Sequence, residues 1–321
     1  MSISKKKMIL DLDTGVDDAL ALAYALADPD CDLIGIIGSY GNVYVEQGVQ
    51  NSLDLLALLG ADDVPVYLGA QHALHVDGFK VLPVSAQIHG DNGVANLQLP
   101  TAKRGPEKQS GIDFLIEAAH KYKDQLLFVP TGPLTNLAAA LKKDPTIADL
   151  IGHVTLMGGA LTIPGNVSPA AEANIHQDPE AANEVFHTAL PLTMVGLDVT
   201  TRTLLTKHET ACWRALNTKA GTVYADLVNY YIEAYKTTNP HLHGCALHDP
   251  LAVGVAIEPA LVEKIRLNLK VETTAPFEGR TIGDEARLNE TNISTEVAVN
   301  VDKKAFLDKF MNRLTPLFAA H

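Results

Sequence analysis

The sequence predicts an α/β fold, an open and mostly parallel sheet with helices on both faces, and three observations predict it. Short continuous apolar runs such as "CDLIGIIG" and "LLFVP" read as strands buried on both sides. Segments with helical spacing, such as "DDALALAYALAD", alternate with them, which is the order that builds a parallel sheet. The apolar runs also end repeatedly in Asp, Asn, Thr and Gly, at "DLDTGVDD", "GSYGN", "PTGPLTN", "MGGALTIPGN" and "GLDVT". In open α/β sheets ligands sit beyond the carboxyl ends of the strands, so these segments place polar groups where a site belongs.

Taken in order, "MIL" leads a first strand into the aspartates, and "DDALALAYALAD" follows as a helix. "CDLIGIIGSYG" is a strand, "YVEQGVQNSLDLLALLG" a helix stopped by glycine, and "VPVYLG" a short strand. "DQLLFVPTGPLTNLAAALKK", "HVTLMGGA" and "LPLTMVGLDVTT" repeat the form. Further on, "AGTVYADLVNYYIEAYK" reads as a helix, and "RLNLKVETT", "RTIGDE" and "NISTEVAVNV" as strands added antiparallel. "DKKAFLDKFMNRLTPLF" closes the chain as an amphipathic helix. No break in composition divides the chain. The expectation is one domain over residues 1–321, a Rossmann-like sheet with added C-terminal strands and helices.

The 321 residues carry 25 Lys and Arg against 38 Asp and Glu, a formal charge of −13. That balance argues against a nucleic-acid groove, which needs a basic face. Three cysteines, Cys31, Cys212 and Cys245, at no metal-ligand spacing indicate a reducing compartment. The apolar stretch after Lys5–Lys7 is cut at Asp11, too short for a signal-peptide core, and no uncharged run is long enough to span a membrane. We expect a soluble cytoplasmic protein with neither nucleic acid nor membrane as partner.

Asp11, Asp13, Asp17 and Asp18 crowd one strand-to-helix turn. Helix capping accounts for Asp17 or Asp18 but leaves Asp11 and Asp13 unexplained. A hard divalent cation accounts for the group, because it takes oxygen ligands and offsets their repulsion. Two metal-dependent families compete on this motif. The haloacid-dehalogenase-like phosphatases use Asp-x-Asp but prefer Thr or Val where this chain has Gly15. The nucleoside hydrolases open with a motif similar to Asp-x-Asp-Pro-Gly-x-Asp-Asp, and "DLDTGVDD" departs from it only at Thr14. The remaining segments decide between them. "GNVYVEQGVQN", "IHGDNG", "PTGPLTNLA", "LMGGALTIPGNVSPAAEANIHQDPEAA", "PLTMVGLDVT" and "HDPLAVGVAIEP" resemble the nucleoside hydrolases in order over nearly the whole chain.

The resemblance implies hydrolysis of the N-glycosidic bond of a ribonucleoside to ribose and free base. It implies a calcium ion held by the carboxylates of Asp13, Asp18 and Asp249 and the backbone carbonyl of Thr131. Asp13 is then the general base toward a calcium-bound water. Asp17 takes the 2′ and 3′ hydroxyls with Asn42 nearby, Asn174 shares the ribose hydroxyls, and Asn166 and Glu172 take the 5′ hydroxyl. Asp11 supports the turn. His248, beside Asp249, is either the acid that protonates the leaving base or a structural donor. His89 packs on the base. Tyr231 and Tyr235, one helical turn apart, line the base pocket or pack along a helix face. His241 and His243 read as surface loop residues. Purine-specific relatives stack the base between tryptophans, and the single Trp213 lies away from the site motifs. That points to a pyrimidine-preferring enzyme or one of broad inosine and uridine specificity. A metal-dependent phosphatase and a nucleoside-binding protein without turnover are the alternatives, and the retained acids count against the second. Resemblance alone implies a homodimer or homotetramer.

Overall fold

The computed structural model describes residues 5–321. The first half runs through β1 (Lys6–Leu12), α1 (Val16–Ala27), β2 (Cys31–Gly38), α2 (Val45–Leu58), β3 (Val66–Leu68), α3 (Pro83–His89) and α4 (Gly111–Tyr122). It continues through β4 (Leu126–Pro130), α5 (Thr135–Lys143), β5 (His153–Met157), α6 (Ala173–Gln177), α7 (Pro179–Phe186), β6 (Leu192–Val195) and α8 (Leu197–Thr200). Next come β7 (Leu204–Leu205), α9 (Lys207–Arg214), α10 (Lys219–Thr238) and β8 (Cys245–Ala246), followed by α11 (His248–Ile257). The chain ends with β9 (Val262–Arg266), β10 (Leu269–Val271), β11 (Thr281–Gly283), β12 (Thr295–Val301) and α12 (Lys303–Ala320).

An 8-stranded sheet has the order β3-β2-β1-β4-β5-β6-β12-β9 and is parallel except for β9, which runs antiparallel to β12. The chain winds outward from β1 to β3, returns to β4, and winds outward the other way. Strand order therefore reverses between β1 and β4, and the crevice opens at that point. Side chains alternate across β1. Met8, Leu10 and Leu12 enter a core with α1, α2, α10, α11 and α12 on one face. Ile9, Ile37 and Phe128 enter a second core with α4, α5 and α7 on the other. Every residue of α1 from Val16 to Ala25 is buried, which fits a helix apolar all round, lying against the sheet, α11 and α12. Among the described residues no helix is long and apolar enough to cross a membrane.

The C-terminal strands differ from the expectation in two ways. β12 is not an antiparallel addition: it joins the main sheet parallel to β6. Only β9 runs antiparallel in that sheet, while β10 and β11 form a small antiparallel sheet of their own. The strand expected from Arg266 begins at Leu269, and β9 ends where it was expected to start. β9 reads "VEKIR" and is largely exposed, an edge strand guarded by charges whose apolar signal is weak.

Candidate active site

The polar segments meet at the carboxyl edge of the sheet. Asp13 follows β1, Asp17 and Asp18 sit in the first turn of α1, and Asp249 sits in the first turn of α11. Both helix N-termini favour negative charge. Asn42 follows β2, Thr131 follows β4, and Glu172 caps α6 just before Asn174.

The turn that carries the acids is fixed by its neighbours. Gly15 donates its N–H to Asp18 Oδ2 at 2.8 Å, and a Cβ at position 15 would lie 2.6 Å from His89 Nδ1 and 2.8 Å from Asn42 Nδ2. Only glycine fits there. Thr14, which stands where the resemblance expects proline, is tied at its hydroxyl to Ser52 Oγ at 2.8 Å, while Asn51 Nδ2 donates to its carbonyl at 3.3 Å. The rigidity that a ring would supply comes instead from hydrogen bonds to α2.

Asp13 accepts from the Asn42 N–H at 2.7 Å and from Asn42 Nδ2 at 3.1 Å. Asp18 also accepts from the Thr131 hydroxyl at 2.7 Å. Carboxylate oxygens of Asp17, Asp18 and Asp249 lie within 4.8 Å of one another, and all three residues are buried. Asp17 Oδ1 is buried with no hydrogen-bond partner. Burial, and then the charge of Asp18, pushes Asp17 up to about 7. The same two causes hold Asp13 well above the usual carboxylate range, and burial with the charges of Asp17 and Asp18 does so for Asp249. Burial raises Asp18 too, against the pull of its N–H and hydroxyl donors. A cluster of acids this strained asks for positive charge.

Asp11 faces the other side of the sheet, where Oδ1 accepts from Asn136 Nδ2 at 2.9 Å. Its carbonyl accepts the Thr131 N–H at 2.9 Å, which ties the β1 turn to the β4 turn.

The wall after β5 carries Glu172, whose carboxylate accepts N–H groups from Gly159 at 2.8 Å, Asn174 at 3.0 Å and Ile175 at 3.3 Å. Asn174 Nδ2 donates to the Thr131 carbonyl at 2.7 Å and to the Met157 carbonyl at 3.1 Å. Asn166 Oδ1 accepts the Ala173 N–H at 2.9 Å.

At the opposite end, His248 Nε2 lies 2.7 Å from the Tyr235 hydroxyl, and its Nδ1 lies 2.7 Å from Thr200 Oγ1. The Tyr231 and Tyr235 hydroxyls are 3.4 Å apart. Burial raises both phenols, so they stay protonated, and lowers His248 to about 4. His89 Nδ1 accepts the Val16 N–H at 3.1 Å, so its proton resides on Nε2. Burial, and then His248, lowers His89 to about 3.

These groups surround a cavity of about 510 Å³. Asp17, Asn42, His89, Thr131, Asn166, Glu172, Asn174, Tyr231, Tyr235, His248 and Asp249 all line it, whereas Asp13 and Asp18 do not reach its surface. His241, expected as a surface loop residue, is exposed and also lines the cavity, while His243 is exposed without lining it. Sequence reasoning did not single out Thr200 beside His248, nor Val84 and Ser85, which α3 contributes to the wall together with Ile88, the first residue of "IHGDNG". Thr200 lay inside the polar "GLDVT" segment. Nothing local marked the start of α3 as part of a site.

Comparison with known proteins agrees with this geometry. Residues 8–308 match the family model described as inosine-uridine preferring nucleoside hydrolase. The chain is 33% identical over 308 residues to the pyrimidine-specific ribonucleoside hydrolase RihA of Escherichia coli O9:H4 (strain HS), covering 96% of this chain and 97% of that one. It superposes with a TM-score of 0.97 and 55% identity on the purine-preferring ribonucleoside hydrolase from Gardnerella vaginalis, covering 98% and 100% of the two chains. A plant nucleoside hydrolase, PpNRh1, matches with a TM-score of 0.91 and 31% identity over 97% and 99%. With its aspartate turn, its buried acid cluster and these relatives over nearly its full length, the chain belongs to the nucleoside hydrolase family, the ribonucleoside N-glycosidases.

Proposed function

We propose that this enzyme hydrolyses neutral ribonucleosides of broad base type, inosine and uridine among them, with calcium bound at the floor of the cavity. The observation that carries this reading is the buried, all-oxygen acid cluster beneath a cavity lined by hydroxyl-binding groups. Calcium takes six to eight oxygen ligands, and the donors here are all oxygen. The raised carboxyls of Asp13, Asp18 and Asp249 fit a bound divalent cation as well. Asp13, Asp18, Asp249 and the Thr131 carbonyl would hold it. When bound, it supplies positive charge to the ribose diol and acidity to an attacking water.

The chain's own residues do the rest. Asp13, fixed by two donors from Asn42, is oriented to take the proton of that water as general base. Asp17 offers its free oxygen to the 2′ and 3′ hydroxyls, beside Asn174. Glu172 and Asn166, each anchored to backbone N–H groups, face the 5′ end. At the base end the protonated phenols of Tyr231 and Tyr235, backed by His248, donate toward the departing base, and His89 lies beside them, its ring centroid 5.4 Å from that of Tyr231.

Two observations favour a broad base pocket. Trp213 is fully buried against Phe310 and Phe318 and stacks on no base. The relatives also divide, one purine-preferring at 55% identity and one pyrimidine-specific at 33%. The test is a panel of uridine, cytidine, inosine and adenosine with their 2′-deoxy counterparts, scored by release of reducing sugar. It is run on calcium-loaded and on exhaustively chelated protein. Ribonucleosides of both base classes should be cleaved only by the loaded enzyme. The 2′-deoxy compounds should be disfavoured by about 10⁴-fold, as in sites built to bind a hydroxyl. Full turnover by chelated protein would refute the metal. A 2′-deoxy penalty under about tenfold would refute the diol placement.

A further inference from the structure

The turn that follows β5 is held by side chains from three other elements. Four successive backbone N–H groups donate to side-chain oxygens: Gly159 to Glu172 Oε2 at 2.8 Å, Ala160 to Thr281 Oγ1 at 3.0 Å, Leu161 to Asp198 Oδ2 at 2.9 Å and Thr162 to Asp198 Oδ1 at 2.7 Å. The Thr162 hydroxyl adds another bond to Asp198 Oδ1 at 2.6 Å. Asp198 thus meets the chain with both carboxylate oxygens from the first turn of α8, and it is 6% exposed. With three bonds to Leu161 and Thr162, against one each from Glu172 and Thr281 to the N–H groups before them, Asp198 is the firmest hold on the turn.

The chain leaves that hold directly into the cavity wall. Ile163, Pro164, Gly165, Asn166 and Val167 follow Thr162, and all line the cavity. Two residues beyond Asp198, Thr200 contacts His248. The same short helix therefore touches both the wall at the ribose end and the group at the base end. Gly165, Asn166 and Val167 close a loop of their own on the Pro169 and Ala171 carbonyls, but Leu161 and Thr162, where that loop departs, are bonded to Asp198 and to no backbone carbonyl, so this acid fixes the point from which the wall enters the cavity.

We propose that Asp198 is a positioning residue of the hydrolysis, one that sets the 163–167 wall against the 5′ end of the ribose. This rests on the placement of the 5′ hydroxyl at Asn166 and Glu172 proposed above. Asp198 touches no reacting atom. Its effect passes through Leu161 and Thr162 to Asn166.

The test uses Asp198→Asn and Thr162→Val in the calcium-loaded enzyme. The Asn amide keeps one acceptor and turns an N–H toward a backbone N–H that had been bonded. Thr162 is exposed, so Thr162→Val leaves the core intact and removes only the hydroxyl's bond. Backbone amide exchange over residues 159–168 is measured for each protein, together with kcat and KM for the best ribonucleoside and for its 5′-deoxy counterpart. Asp198→Asn should speed exchange in that segment and raise KM about tenfold with kcat within about twofold. It should also shrink the preference for the 5′-hydroxyl substrate by about tenfold. Thr162→Val should move each quantity the same way by less, and it carries the test if Asp198→Asn fails to fold. Unchanged exchange over 159–168, or a fall in kcat equal on both substrates, would overturn the proposal. If the unmodified enzyme shows no 5′-hydroxyl preference, the placement of that hydroxyl fails, and the role of Asp198 is then decided by exchange and by KM for the ribonucleoside.

Discussion

His248 has both ring nitrogens engaged, one by Thr200 and the other by Tyr235, each at 2.7 Å. A histidine fixed at both nitrogens cannot rotate without breaking a buried hydrogen bond, so its partners dictate its orientation. Tyr235 and Tyr231 line the cavity beside it. In the mechanism proposed above this chain of hydrogen bonds serves a departing base that needs a proton, and it has no task when the leaving group is already a stable anion. His248→Ala should therefore slow natural nucleosides by about 10²-fold or more, the usual scale of general acid catalysis, and slow p-nitrophenyl riboside far less. The measurement is kcat/KM on both substrates with one preparation. An equal loss on the two would make His248 a structural residue. The chain is also a residue-level case of what sequence can display. His248 stood out because it adjoins Asp249, and Tyr231 and Tyr235 because they lie four residues apart on a helix. Thr200 lies in the polar "GLDVT" segment but is separated from His248 by 48 positions, so only the fold pairs them.

Among the elements, the segment between β2 and α2 does most to set the acid turn. Gly41 lies so close to Asp13 that a Cβ there would come within 2.0 Å of Oδ2. The following residue supplies both hydrogen bonds that orient the same carboxylate. Gly41→Ala must displace one of the two, so kcat/KM should fall by about 100-fold or more, the loss expected when a reacting group moves by about 1 Å. Gly48→Ala, one turn into α2, is the control. Its Cβ would meet nothing nearer than 3.5 Å, and alanine favours a helix interior, so activity should hold and the melting temperature should stay level or rise. Equal activity in the two variants would show that the β2–α2 segment does not position Asp13. Elements of this kind were legible in proportion to how far local pattern determines them. α1, α2, β2 and β4 have strong apolar periods and clear stops, and the structure has them where the periods lie. The partner of β12 is set by the space left beside β6 after the rest of the sheet has formed, and no period in "TEVAVNV" encodes that. β9, charged along an edge, showed almost no apolar alternation at all.

Across the whole molecule the charge is −13, and the cavity concentrates that sign. Asp17, Glu172 and Asp249 line it, and no Lys or Arg among the described residues does. The proposed calcium would offset the acids at the floor but not Glu172 on the wall, whose carboxyl burial raises against the pull of the backbone N–H groups of Asn174, Gly159 and Ile175. In the proposed placement a neutral ribose sets a hydroxyl against that wall and can donate to it. A 5′-phosphate places a dianion there instead, with no cationic side chain to receive it. Two unit charges about 4 Å apart repel by about 4 kcal/mol at an effective dielectric of about 20, and partial desolvation in the cavity adds to the cost. The enzyme should therefore cleave a nucleoside at least about 100-fold better than its 5′-monophosphate, about 2.7 kcal/mol, with the difference in kcat/KM. Salt should narrow the gap only slightly, because the interaction is short-ranged and sheltered from counterions. Glu172→Gln should narrow it further by removing the wall charge while keeping an acceptor for the N–H groups. The assay compares uridine with uridine 5′-monophosphate, and inosine with inosine 5′-monophosphate, scoring free base in a phosphatase-free preparation with and without added salt. Comparable rates on nucleoside and nucleotide would mean that the 5′ end points out of the cavity toward solvent, and the wall after β5 would then have no part in choosing the substrate.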